Sequence, residues 1–546
     1  MTRSIQQQIL HRASASADQP YLCQPVDRQW RQWTWAEAVA EASKMAMALR
    51  AQGLEPGDRV GIISRNCAHW VLADLAIILA GLVSVPVYPT ANAKTIRQIV
   101  EHSGTRTLFV GKIDNPESQL AELSNNIKTI AMPYAEAVGQ QSWQALLDAA
   151  LDTPFELVER KPDELATLLY TSGSTGKPKG AMHSHANFAW VGQALPEAIG
   201  VASGDRVLSY LPLSHCTERA YVEAASFYAE STLYFVESID TFMADLAHAR
   251  PTLFGSVPRL WKKFQIGVLE KLPQQKLDRL LRIPFLGGMI RRKIKRGLGL
   301  DQARWYASGS APIATSLLEW WNRLGVPISE GWGMTETFAY GTSLPAGQSP
   351  RFGAISKVLP GVELRVSDEQ ELLIRCPCLM QGYYQAEEET RSSFSDGFFR
   401  TGDRVSMDSE GWVYITGRVK ELFKTTKGKY IAPVPIESQL ARNDHIELAC
   451  VMGTGLPQPV ALIQLAETAP RDRHELQVEL ERTRQQVNAD LEPHERLGRL
   501  IVTSEPWEAE NGMLTPTLKL RRDAIEARYA ELVARAGESI VFEKTA

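Results

Sequence analysis

The chain has 546 residues, 44% hydrophobic and 22% charged, with a formal net charge of −4 at pH 7. That is about three to four domains' worth of ordinary globular composition, ample for a large buried core. A slightly acidic balance gives no global attraction to nucleic acid or to an anionic membrane, so nucleic acid is excluded as the main partner.

Residues 1–20 lack the continuous apolar segment of a signal peptide. Six cysteines are scattered without a CxxC pair, and Cys376-Pro377-Cys378 is too close for ordinary metal spacing. They fit reduced thiols, and the expected location is the cytoplasm.

From Asp58 strand-like and helix-like segments alternate: Arg59–Ile63 reads as a strand, 69–79 as a helix, Val83–Val87 as a strand, 93–102 as a helix and Thr107–Val110 as a strand. This implies βα units and a mainly parallel sheet with helices on both faces. The run 70–88 approaches membrane-spanning length, but Asp74, Gly81 and Pro86 interrupt it. It reads as a buried helix followed by a parallel strand.

A short apolar strand, 165–170, then breaks into Thr171-Ser172-Gly173-Ser174-Thr175-Gly176-Lys177-Pro178-Lys179-Gly180. Glycines let backbone N–H groups point into one concavity, hydroxyls add donors and lysines supply charge, so the loop suits a polyphosphate. It is not the Gly-x4-Gly-Lys-Ser/Thr loop, because Thr171 stands at the first glycine and Pro178 follows Lys177. A flexible Ser/Gly linker would rarely follow a buried strand or carry Lys-Pro-Lys.

Strand-like segments resume at 206–211, 232–236, 252–257 and 304–307, each followed by a helical stretch. His215 lies just beyond the first of them. The run 282–296 sets apolar residues beside Arg291, Arg292, Lys293, Lys295 and Arg296. It reads either as a peripheral contact with lipid headgroups at the inner face of the membrane or as a solvated basic helix packed on the large lobe.

Ser308-Gly309-Ser310-Ala311-Pro312 ends one strand, and Glu330-Gly331-Trp332-Gly333-Met334-Thr335-Glu336 follows another expected at 326–329. A carboxylate beside a bound triphosphate needs a cation between them, so Glu336 is the candidate Mg²⁺ ligand. Beyond Arg351 short extended pieces, 362–366 and Glu371–Arg375, suggest a β-rich subdomain. Phe399-Arg400-Thr401-Gly402-Asp403 and Gly417-Arg418-Val419-Lys420 follow. The strand-like 461–465 and the charged helical run 474–491 suggest a separate small α/β lobe. Near the end stands Asn511-Gly512-Met513-Leu514-Thr515-Pro516-Thr517-Leu518-Lys519, with Arg521 and Arg522 beyond it.

Taken in order over most of the chain, from about 58 to 522, these motifs resemble the acyl-CoA synthetases of the AMP-binding superfamily, and most specifically those acting on long-chain fatty acids. The resemblance implies an α/β fold: a large N-terminal lobe of doubly wound sheets plus the β-rich subdomain (1–418), and a small mobile C-terminal α/β lobe (419–546) hinged near Lys420. It implies that Thr171, Ser172, Gly173, Ser174, Thr175, Gly176 and Lys179 cradle phosphates. Gly309, Ser310, Ala311 and Glu330 to Thr335 would line the adenine and acyl carbonyl, with Trp332 over the adenine where tyrosine is commoner. Asp403 and Arg418 would take the ribose, His215 would lie beside the acid's carboxylate, and Lys519 would stabilise charge at the α-phosphorus. Lys424 would serve the second half-reaction. Gly417 stands where many relatives have aspartate.

The implied reaction joins a fatty acid to CoA through an acyl-adenylate, with ATP and Mg²⁺ as cofactors and CoA as co-substrate. Two alternatives stand beside it: a ligase using another acid or a carrier-protein thiol, and a nucleotide-binding regulator that has lost catalysis.

Overall fold

The computed structural model describes residues 3–135, 138–150, 154–171, 178–426, 429–467, 469–508, 511–515, 519–535 and 537–543. Valine- and isoleucine-rich runs of four to seven residues, too short for helices and buried on both faces, become strands of two seven-stranded sheets. In the first the spatial order is Gln141–Ser142, Lys128–Ala131, Thr107–Val110, Arg59–Ile63, Val83–Val87, Leu165–Thr171 and Lys179–Ser184. All pairs are parallel except the last.

The second sheet runs Ser329–Glu330, Trp305–Ser308, Leu253–Ser256, Arg206–Ser209, Thr232–Phe235, Pro20–Val26 and Gln29–Thr34, again parallel except at its last pair. The alternation expected from Asp58 onwards therefore starts too late. The hairpin Pro20–Val26/Gln29–Thr34 comes from the first residues of the chain and adds to the second sheet beside Thr232–Phe235. The expected strand at 326–329 shrinks to Ser329–Glu330, with Val326 and Ile328 packed as core side chains before it.

A five-stranded antiparallel sheet follows, built from Glu363–Val366, Glu371–Arg375, Phe394–Ser395, Phe398–Met407 and Val413–Arg418. The last part of the chain forms a four-stranded sheet, Ile446–Met452, Val460–Leu465, Arg499–Val502 and Ile540–Phe542, covered by the helix Arg473–Ala489. The architecture is mixed α/β, a large N-terminal part followed by a smaller C-terminal one.

The apolar run 70–88 resolves as read: the helix Ala68–Leu79 is buried at every position, and Val83–Val87 is a parallel strand. Among the described residues no helix is long and apolar enough to cross a membrane. The charge that interrupts the run is paired. Asp74 Oδ2 accepts from Arg219 Nη2 at 3.0 Å, and Arg219 Nη1 lies 3.3 Å from Glu223, all three side chains having no solvent exposure. Burial and the negative charge of Asp74 push the Glu223 carboxyl well up from its ordinary value, while the Arg219 guanidinium opposes them. Arg219 begins a π-helical turn, Arg219–Ala224, which ties the segment after His215 to the core helix.

Removing one partner of such an ion pair strands the other in a dry interior at a cost of about 3–5 kcal/mol. Asp74→Ala is expected to lower the unfolding free energy by that amount in urea titrations followed by tryptophan fluorescence. A loss under about 1 kcal/mol would mean that Arg219 is not held by this pair.

Candidate active site

Three parallel strands end in register at one edge of the second sheet, where Ser256 pairs with Ser308 and Ser308 with Glu330. Segments leaving the carboxyl ends of parallel strands line a crevice, the usual ligand position in open α/β sheets. From Ser308 the chain turns through Gly309 into Ser310, which sits in the left-handed region at φ 66°. Gly331 N–H donates to the Ser308 carbonyl at 2.9 Å, and a Cβ on Gly309 would lie 3.2 Å from the Gly331 carbonyl oxygen. Ser310 and Ala311 are exposed to the crevice. Glu330, one residue before Gly331, is pushed up to about 7 by burial, against which the Gly353 N–H bond works only partly.

Trp332 exchanges two backbone hydrogen bonds with Thr342, at 3.2 and 2.8 Å, closing the loop that holds Thr335 and Glu336. A Cβ at Gly333 would fall 2.3 Å from the Ala339 carbonyl oxygen, so the loop tolerates only glycine there. Phe338 and Ala339 take φ values of 51° and 60° in succession. Left-handed backbone at non-glycine residues costs about 1–3 kcal/mol each and persists only where surroundings enforce it.

Those surroundings reach in from the first sheet. His183, on the edge strand Lys179–Ser184, has its imidazole pushed down to about 4 by burial, so the neutral ring donates from Nε2 to the Thr335 carbonyl at 2.8 Å. Tyr383 bridges to Ala181 on the same strand and donates its hydroxyl to Glu336 Oε1 at 2.6 Å. The Lys179 ammonium sits over the Tyr383 ring, 5.5 Å from its centre. Met334 N–H donates to the Thr337 hydroxyl at 3.3 Å, and the Thr335 hydroxyl reaches the Cys216 sulfur at 3.6 Å.

The third contribution comes from the antiparallel sheet. Asp403 and Arg418 are cross-strand partners on Phe398–Met407 and Val413–Arg418. Arg418 Nε lies 2.9 Å from Asp403 Oδ1, while Trp332 Nε1 donates to Oδ2 at 2.9 Å. The buried aspartate is thus fixed by its cross-strand partner and by Trp332, which follows the end of the second sheet. Gly417, just before Arg418, takes a φ of 142°, a conformation that favours glycine and gives the departure from aspartate a local cause.

Lys519 enters from the C-terminal part. Its backbone N–H donates to the Thr515 hydroxyl at 3.0 Å and its carbonyl accepts from Thr515, while Leu514 pairs with Leu520. Lys519 is open to the solvent of the crevice, yet enough protein surrounds its ammonium to lower its pKa. Desolvation is the largest cause and the Arg418 cation the next, with Cys216, Asp403 and Glu336 acting in the opposite direction. The same ammonium acts on His215, whose pKa burial first and Lys519 second push down to about 4. His215 Nδ1 accepts the Thr217 N–H at 3.2 Å, which assigns the proton of the neutral ring to Nε2. Burial pushes the adjacent Cys216 thiol up to about 11, so it stays protonated near neutrality.

Hydrogen bonds, one ion pair and mutual electrostatic influence therefore tie His215, Thr335, Glu336, Asp403, Arg418 and Lys519 into one group, with Trp332 bonded to Asp403 and Lys179 linked to Glu336 through Tyr383. Ser172, Gly173, Ser174, Thr175 and Gly176 lie outside the described residues; Thr171 and Lys179, at the ends of that segment, are in register across the hairpin. Lys424 is exposed, its ammonium 4.5 Å from the centre of the Tyr430 ring, and among the described residues it forms no ion pair or side-chain hydrogen bond with the crevice group. Sequence reasoning missed Tyr383 and His183. Neither lies in a motif, and only the pairing of Lys179–Ser184 with 382–384 brings them to Glu336 and Thr335.

Among the described residues no group of three or more histidine, cysteine, aspartate or glutamate side chains could hold a metal alone. Glu336 has one oxygen on Tyr383 and, among the described residues, no hydrogen bond on the other. That suits magnesium, which is commonly held by one or two carboxylates together with substrate phosphates and water.

The family model for AMP-binding enzymes matches residues 9–384, and that for the AMP-binding enzyme C-terminal domain matches 421–539. A long-chain-fatty-acid–CoA ligase of Mycobacterium bovis is 29% identical over 556 residues, covering 92% of each chain. The adenylation domain of a carboxylic acid reductase from Segniliparus rugosus, solved with AMP and a co-purified carboxylic acid, superposes with a TM-score of 0.80 at 21% identity, covering 97% of this chain and 93% of that one. An anthranilate CoA ligase solved with anthranoyl-AMP gives 0.81 at 20% identity over 98% of both chains. At those identities the structures show the shared fold.

The electrostatic link between His215 and Lys519 can be read directly. In NMR titration of histidine-labelled protein, His215 is expected to stay neutral with the proton on Nε2 until the pH nears about 4. Lys519→Met removes a lowering cation, so the His215 pKa should rise. An unchanged value would place the ammonium away from the ring.

Proposed function

The chain belongs to the AMP-binding enzyme family, and from that membership together with the crevice we propose that it is an ATP-dependent fatty acyl-CoA synthetase acting on long-chain acids. It would convert fatty acid, ATP and CoA to acyl-CoA, AMP and pyrophosphate. The observation that carries the reading is that both family models match in order, over 9–384 and 421–539, on a chain whose Asp403 is held by Arg418 and Trp332 and whose Glu336 keeps one oxygen on Tyr383; the influence of Asp403 and Glu336 on Lys519 agrees with it. The choice of acid is supported by relatives named for long-chain fatty acids, which align over nearly the full chain.

In the first half-reaction the acid's carboxylate attacks the α-phosphorus of ATP and pyrophosphate leaves. Two anions must approach each other, and the crevice supplies cations where that charge gathers: the Lys519 ammonium and the Arg418 guanidinium. Neutral His215, donating from Nε2, can hydrogen-bond the incoming carboxylate and orient it without removing a proton. Asp403, released in part from Arg418 or Trp332, can accept both ribose hydroxyls. The loop from Thr171 to Lys179 takes the β- and γ-phosphates. Glu336 would hold magnesium, which when bound neutralises phosphate charge.

In the second half-reaction the CoA thiolate attacks the acyl carbonyl, the C–O bond to phosphate breaks and AMP leaves with its electron pair. In this reading Lys519 serves adenylation alone and would withdraw as the small lobe, 419–546, turns about Lys420. The exposed ion pairs Arg259–Glu447 and Lys262–Asp444 join the two parts. Such pairs contribute about 0–1 kcal/mol each and hold the lobes without locking them. Lys424 would join the site only after that turn.

The test is a panel of acids from short to very long, aryl acids included, with and without CoA, scoring pyrophosphate, AMP and thioester. Thioester formation greatest with long-chain acids is expected. Thioester only with short or aryl acids, or AMP release without CoA thioester, would reassign the substrate or the acceptor, and no pyrophosphate from any acid would point to a regulator. Lys519→Ala should reduce acyl-AMP formation by at least about 100-fold yet leave conversion of supplied acyl-AMP to thioester within about 3-fold of wild type. Equal loss in both halves would contradict a role confined to adenylation.

A further inference from the structure

The helices Gln274–Arg282 and Leu286–Gly297 continue from the helix Pro258–Lys271, whose outward Arg259 and Lys262 pair with Glu447 and Asp444 of the C-terminal part. The turn between them is tight, since a Cβ at Gly287 would lie 2.7 Å from the Leu281 carbonyl oxygen. Ile290 and Ile294 pack inward on the cluster around Trp261 and Phe264. The opposite side is left with an unusual combination.

Phe285 is 93% exposed, Met289 67% and Ile283 48%. Among the described residues only six large hydrophobic side chains are at least 48% exposed, and three of them fall within these seven positions. Phe285 is presented by backbone at φ 64°, a conformation that non-glycine residues rarely adopt. Around them stand Arg279, Arg282, Arg292, Lys293 and Arg296, all exposed, and among the described residues none of these five forms an ion pair. Residues 271–297 hold nine basic side chains and one acidic one, in a chain whose net charge is −4. Unpaired cations ringing projected apolar side chains complement an anionic bilayer, where the cations meet headgroups and the apolar tips enter the acyl boundary.

We propose that these two helices form a docking surface for an anionic lipid bilayer, holding the crevice next to the phase in which long-chain acids partition. The docking stands on this surface alone; its use for substrate delivery rests on the function proposed above.

The full chain is to be sedimented at low salt with phosphatidylcholine vesicles containing phosphatidylglycerol and with phosphatidylcholine vesicles alone. Association with the anionic vesicles, weakening as salt rises, is expected. The triple variant Arg292→Gln, Lys293→Gln, Arg296→Gln should lower the partition coefficient about 150-fold, which corresponds to ~1 kcal/mol per charge. The double variant Phe285→Ser, Met289→Ser should lower it at least about 10-fold. Both variants should keep the wild-type rate of thioester formation from detergent-dispersed acid, which shows that they are folded.

No binding by the wild-type chain, undiminished binding by both variants, or equal binding to neutral vesicles would overturn the proposal. So would a vesicle-free dimer that the same substitutions abolish, which would assign the surface to a second copy of the chain. Anionic-vesicle binding by a chain that forms no thioester would refute the proposed reaction and leave the docking surface standing.

Discussion

The Asp403 carboxylate is the point on which the crevice depends. One oxygen lies 2.9 Å from the Arg418 guanidinium and the other takes the Trp332 indole N–H at the same distance. Trp332 follows the parallel strand end at Ser329–Glu330, Arg418 ends the antiparallel sheet, and the Lys519 ammonium responds to both Arg418 and Asp403. A buried carboxylate demands compensating donors, and its two donors come from opposite directions. Satisfying that single group therefore fixes the relative placement of two sheets and sets the charge against which Lys519 is positioned.

Behind the crevice lies a second buried charge that holds the floor. The segment carrying His215 and Cys216 passes directly into Arg219, anchored by Asp74 from the fully buried helix Ala68–Leu79. Burial is also what makes His215 a neutral donor, since desolvation outweighs every other influence on the ring. Rigid supports thus lie within the large part, whereas the contacts from Arg259 and Lys262 to the C-terminal part are exposed and individually weak.

Much of this was legible in the sequence because parallel strands buried on both faces must be apolar throughout. Arg59–Ile63, Val83–Val87 and Thr107–Val110 emerge at the expected residues. The N-terminal hairpin is hidden because Pro20–Val26 contains two prolines and a glutamine, and Gln29–Thr34 is largely polar; its place is set by the pairing of Pro20–Val26 with Thr232–Phe235, about two hundred residues away. At 326–329 only the end is a strand, since apolar residues buried in an irregular segment, here Val326 and Ile328, give the same pattern as strand residues. The motif residues His215, Glu336, Asp403, Arg418 and Lys519 could be named from local pattern, but their meeting could not. Tyr383 shows the limit most clearly, since its link to Glu336 exists only through sheet register.

A crystal structure of the chain with bound AMP would test the convergence most directly. The arrangement predicts the ribose hydroxyls on Asp403, the adenine against Trp332, and the α-phosphate within hydrogen-bonding reach of Lys519 or, with the C-terminal part turned away, at the place its ammonium now faces. AMP bound elsewhere, with Asp403 still closed between Trp332 and Arg418, would contradict it.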